Sequence, residues 1–176
     1  MAKYLFLELK KIYRKNKYYL QFFGKCLILY FSWSLVYHSL LFNLGINDPL
    51  TDLVSSSAFN FCLLFEPNIS LKIIDNKNFI YYGDKSLVFI DDPCNGLELY
   101  ILFVAFYVAV GKLFSSLKWI FLGIVGIFIL NVARISGLAW IVLYRPTDLD
   151  FHHKYTFALV VYSWILLVWV VSLQKK

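Results

Sequence analysis

The stretch DDPCNGLELYILFVAFYVAVG, residues 91–111, sets a short polar run directly against a hydrophobic one. Two acids, a proline and a cysteine come first. From Leu97 to Gly111 the chain is apolar apart from Glu98. An apolar run bounded this sharply reads as a membrane helix, and Cys94 sits where it begins. With Asp92 as cap and Pro93 at the first helical position, Cys94 is expected in the first turn. There, free backbone N–H groups and the helix dipole favour a thiolate.

Composition supports the membrane reading. Of 176 residues, 60% are hydrophobic and only 16% charged, whereas a soluble domain carries about a quarter charged residues. Much of the surface must therefore face lipid. The net charge of +6 does not point to nucleic acid, because the basic residues cluster at span ends rather than along one face. Cys26, Cys62 and Cys94 form no CxxC pair and no metal-ligand spacing, so neither a metal nor another cofactor is expected. Met1–Lys17 is basic, but the apolar run after it is too long for a signal peptide and has no small-x-small cleavage site. It reads as an uncleaved first span.

Working outward, the expected fold is all-α. It is a polytopic transmembrane bundle of about four spans with an interfacial helix and a small extracytoplasmic β-like segment. A basic N-terminal segment (1–17) precedes spans at about 18–42, 95–111, 119–143 and 155–173. Lys25 and His38, inside the first span, read as interfacial. Asn43–Pro49 reads as a turn, and Leu50–Phe65 as a helix too polar for a confident span. Leu71–Ile74, Phe79–Tyr82 and Leu87–Ile90, separated by polar turns, read as two or three short strands. Lysines mark the cytoplasmic ends of spans. The N-terminus, the Lys112–Lys118 link and Lys175-Lys176 are accordingly expected inside, with residues 43–92 and the Arg145–Lys154 link outside.

That topology gathers three chemically capable features on one side. At ~1.5 Å per residue Arg134 lies about 22 Å from Trp119, in the outer third of a ~30 Å core. An arginine inside a span is costly unless it faces a polar interior. His152 and His153 stand at the outer mouth of the last span. A cysteine nucleophile, a histidine to move its proton and an arginine to receive an oxyanion make a site for acyl transfer. Asn131, one turn before Arg134, could orient it. Glu98, one turn below Cys94, could pair with Arg134 or with a substrate cation. The bland alternatives are packing cysteines, a snorkelling arginine and a wet histidine loop.

Pro93-Cys94-Asn95-Gly96-Leu97, Asn131-Val132-Ala133-Arg134-Ile135 and His152-His153-Lys154-Tyr155-Thr156-Phe157 resemble, in order and spacing, the motifs of the exosortase/archaeosortase family. The short chain and its Cys-Asn-Gly-Leu form are similar to the small Bacteroidetes subtype called exosortase F. The resemblance implies an integral-membrane thiol transpeptidase of the bacterial inner membrane with its site facing the periplasm. It implies as partner the C-terminal sorting tail of secreted proteins, which the enzyme cuts before passing the protein to an acceptor, lipid- or polysaccharide-linked. It implies Cys94 as nucleophile, Arg134 as stabiliser and His153 as acid/base, with His152 the alternative; Asn95, Asn131 and Glu98 are supporting candidates. The rival reading is a non-enzymatic membrane scaffold or export assembly factor, whose polar intramembrane residues only hold spans together.

Overall fold

The computed structural model describes residues 2–36, 48–75, 77–91 and 94–174. His38, most of the Asn43–Pro49 turn, the Asp92-Pro93 cap and Lys175-Lys176 lie outside the described residues. Helix α1 (Ala2–Val36) bends at Asn16, whose backbone leaves the helical region, so the basic N-terminal segment runs into the first apolar helix. Helix α2 (Asp48–Leu63) takes in Asp48 and Pro49, which the sequence assigns to the turn. It buries Val54, Ala58 and Cys62, spaced one turn apart.

Strands β1 (Ile69–Ile74), β2 (Lys77–Tyr82) and β3 (Lys85–Ile90) form an antiparallel meander with β3 at one edge. The registers are Ile80↔Val88 and then Tyr81↔Ser86, which leaves Leu87 as the extra residue of a bulge. Short β-branched and aromatic runs between polar turns make this sheet. Its buried residues, Ile69, Ile80, Leu87 and Ile90, pack with α2 and with Ile135 and Ala139.

Three apolar helices follow: α3 (Leu97–Val110), α4 (Leu117–Tyr144) and α5 (Phe157–Gln174). Helix α4 with its preceding turn (Phe114–Tyr144) and the run Pro146–Gln174 that ends in α5 are long and apolar enough to cross a membrane. Helix α3 is apolar but has 14 residues, about 21 Å against a ~30 Å hydrocarbon core. Close approach of these helices depends on glycine. A Cβ on Gly123 would come within 2.0 Å of the Phe103 ring, and one on Gly126 within 2.3 Å of the Trp164 indole. Small residues at such crossings let backbones meet where lipid offers no hydrophobic drive.

Two apolar cores result. One joins the sheet and α2 to one end of α4, around Ile80, Ile90, Ile135 and Ala139. The other joins α3, α4 and α5, around Phe103, Tyr107, Ile127, Ile165 and Val168. On α4 the residues between Ile127 and Ile135 stand where the cores meet. Asn131 and Arg134 are among them.

Candidate active site

Cys94 lies outside helix α3. It occupies a tight turn closed by its own N–H donating to Asp91 O at 2.7 Å. Helix α3 begins three residues later, after Gly96, whose φ of 83° is left-handed. An L side chain is strained in that conformation, so the glycine allows the chain to double from the cysteine turn into the helix. The thiol precedes helix α3 instead of belonging to it, and the Asp92-Pro93 cap of the expected first turn lies outside the described residues.

Two buried asparagines fix the turn instead. Asn131 is fully buried, and its Nδ2 donates to the Cys94 carbonyl at 2.8 Å. No hydrogen bond to Arg134 is formed by Asn131 among the described residues, so the expected orienting contact within α4 is replaced by one across to the cysteine. Asn95 is also fully buried. Its Oδ1 accepts from Leu97 N at 2.8 Å, and its Nδ2 donates to Thr51 Oγ1 on α2 at 3.1 Å. A buried amide that loses such a partner costs about 1–3 kcal/mol, so these contacts specify the turn strongly. Thr51 is a contributor that the sequence did not single out, because it lies 44 positions from Asn95.

Arg134 Nη2 donates to His153 Nε2 at 3.3 Å. Arginine is only a donor, so Nε2 is the acceptor, and a neutral ring then carries its proton on Nδ1. His153 belongs to a π-helical turn, His152–Thr156, just before α5. Such turns add a residue to the helix and re-aim side chains, often at functional sites. His152 points elsewhere: its Nδ1 lies 3.0 Å from Thr156 Oγ1, and its ring meets Phe151 edge-on.

Cys94, Arg134 and His153 line one cavity of about 210 Å³, with β3, Ile135, Leu138, Val142, Leu149 and Asp150 as its other walls. Arg134 and His153 also line a second cavity of about 180 Å³ that reaches Gly96, Glu98 and Tyr162. The pair is therefore the partition between the two. Among the described residues no carboxylate lies within 4.0 Å of Arg134, and Glu98 forms no ion pair with it. The remaining guanidinium donors are available to a ligand. No group of three or more metal-ligating side chains occurs among the described residues.

Cys62 is buried against α4, and burial raises its thiol pKa above the ordinary value, with a hydrogen bond from Ser136 acting the other way. Cys26 lines a larger apolar groove of about 660 Å³ between α1, α3 and α5. Neither lines the two cavities that hold Arg134 and His153.

The Gly96 geometry makes a prediction. A methyl at this position meets Asn131 Nδ2 at 3.3 Å and adds left-handed strain, together about 1–2 kcal/mol. Gly96→Ala is expected to lower the midpoint of thermal unfolding followed by tryptophan fluorescence in detergent. It is also expected to slow alkylation of Cys94 relative to Cys26 in the same molecule. Equal slowing at both cysteines would show a global effect and refute a local one.

No curated protein sequence and no solved structure gives a significant match to this chain. The family model described as transmembrane exosortase (Exosortase_EpsH) matches residues 12–172. That match takes in the cysteine turn, the Asn131–Arg134 face and the His153 turn together, and the chain belongs to the transmembrane exosortase family.

Proposed function

We propose that this protein is a membrane cysteine transpeptidase of the small F-type. It removes the C-terminal sorting tail of a secreted protein at the periplasmic face of the bacterial inner membrane and passes the protein to an acceptor. The observation that carries this reading is the single cavity lined by Cys94, Arg134 and His153. Those residues come from three separate segments, and family membership makes a transpeptidase the natural activity for them.

The chemistry follows from the three side chains. His153 takes the thiol proton as Cys94 Sγ bonds to the scissile carbonyl carbon. The carbonyl oxygen becomes an oxyanion, and Arg134 turns its donors to it. Arg134 leaves its 3.3 Å contact with His153 Nε2 as the oxyanion builds up, so that Nε2 is free to take the thiol proton in the same step. Collapse breaks the C–N bond, and His153 gives its proton to the leaving amine of the tail. An acyl thioester remains on Cys94. An acceptor amine or hydroxyl then attacks the thioester. It loses its proton through His153, and Cys94 leaves as a thiolate that recovers that proton.

Labelling tests this reading directly. A membrane-impermeant maleimide added to whole spheroplasts is expected to modify Cys94, and to do so faster than it modifies Cys62. A Cys94 that reacts only after the membrane is opened, or no faster than Cys62, would favour the scaffold reading.

A further inference from the structure

We infer that the outer edge of β3 is a docking strand for the substrate: the segment around the scissile bond binds extended along Leu87–Ile90 and is delivered to Cys94. The inference rests on the transpeptidase reading above and adds how the peptide is held. It starts from which residues of β3 line the cysteine cavity. Leu87, Val88, Phe89 and Ile90 all do so. Successive side chains of a strand point to opposite faces of its sheet. A cavity over one face would meet only alternate residues. Here the Phe89 ring lies tilted against Phe79, centroids 5.0 Å apart, and is exposed, while Val88 and Ile90 pack inward. A cavity that meets both kinds lies along the edge of the strand.

That edge is also unpaired. β3 ends the sheet, and among the described residues no backbone group beyond β2 bonds to the outward N–H and C=O groups of residues 85–90. An open edge is a template for another strand, and natural proteins usually cover or blunt it. Here the edge opens onto Cys94, four positions after Ile90, with Arg134 and His153 in the same cavity. The bulge at Leu87 adds twist at this place. Four strand residues extend roughly 13 Å, room for three or four residues of an added peptide. Main-chain bonds would give affinity without demanding particular side chains, while the apolar wall of Ile135, Leu138 and Val142 favours small or apolar ones. The occupant is thus an extended peptide whose carbonyl ends at the thiol. A helix leaves the edge groups unpaired, and a lipid chain has no groups to match them.

N-acetylated alanine chloromethyl ketones of one to four residues provide the probe, applied to the full chain in detergent. The Cys94 thiolate displaces chloride and forms a thioether; adducts at Cys94, Cys26 and Cys62 are read by mass spectrometry. Docking on the edge is expected to make the four-residue reagent about tenfold faster at Cys94 than the one-residue reagent, the effect of about two net hydrogen bonds. Only alternate N–H groups of an added strand face the ladder. Backbone N-methylation should therefore abolish the gain at alternate residues and spare it at those between. A flat length series, or methylation equally harmful or harmless at every position, would overturn the inference. Iodoacetamide separates the two levels. Rapid, selective alkylation of Cys94 by iodoacetamide with a flat peptide series sinks the docking strand alone. Iodoacetamide rates equal at Cys94 and Cys62 sink the nucleophile and the docking strand together.

Discussion

Cys94→Ala should reduce processing of a sorting-tailed secreted protein to background, while Cys26→Ala and Cys62→Ala should leave it at the parental rate. The three thiols differ in their surroundings. Cys62 is 6% exposed and packed in the core beside α4, where burial holds its proton on. Cys26 borders an apolar groove. Cys94 shares a cavity with a histidine and an arginine, His153 and Arg134. Cys94→Ser refines the test: it keeps the size and the carbonyl contact to Asn131 but replaces the thiol by a hydroxyl, a weak nucleophile at its ordinary pKa. Serine should therefore fold like the parent and process no better than alanine. The measurement is the cleaved fraction of substrate on an immunoblot, normalised to the level of each variant in the membrane. Full processing by Cys94→Ala would remove the enzyme reading and leave the scaffold.

Local patterns carried much of the fold. The sheet was visible because each strand is a short apolar run between polar turns, and the structure extends each run by only two residues at its start. Helix α2 was legible as the expected helix Leu50–Phe65, and the structure runs it from Asp48 to Leu63. The number of spans was less legible. Helix α3 is apolar but short, and among the described helices two runs meet the length and hydropathy expected of a span. Hydropathy alone cannot tell a short helix packed inside a bundle from one that crosses by itself.

Residue types at the site were legible, but their contacts were not. Spacing along a helix put Asn131 beside Arg134, yet the amide reaches across to the Cys94 carbonyl. That partner is set by how α4 packs on the cysteine turn, which no local pattern encodes. The long apolar helix was expected from about Asn95, and the left-handed Gly96 sets its start at Leu97. His152 and His153 could not be separated by sequence. Neighbours in a helix point about 100° apart, so one can face the cavity while the other faces Thr156. Which one does so depends on the π turn, for which the sequence gives no pattern.

Arg134→Gln should lower the single-turnover rate of processing by about 10²–10³-fold, the range for loss of an oxyanion donor. Arg134→Lys should recover little of it, because an ammonium is a point charge on a flexible stem and lacks the planar fork. His153→Gln should cost about 10²–10⁴-fold, as for a general acid–base. The two side chains touch at 3.3 Å and divide the same two cavities, so their losses should not add. The double variant should be little slower than the worse single one, as in sites whose members act as a unit. Stability should move the other way. Arg134 has no carboxylate within 4.0 Å among the described residues, and a charge held within a span is costly. Glutamine should leave the thermal midpoint unchanged or raise it. An arginine that served only to hold helices together would give the reverse pair, a lower midpoint with activity falling only in proportion to folded protein. Rate and midpoint measured on the same preparations therefore decide between a group that receives charge during the reaction and one that merely packs.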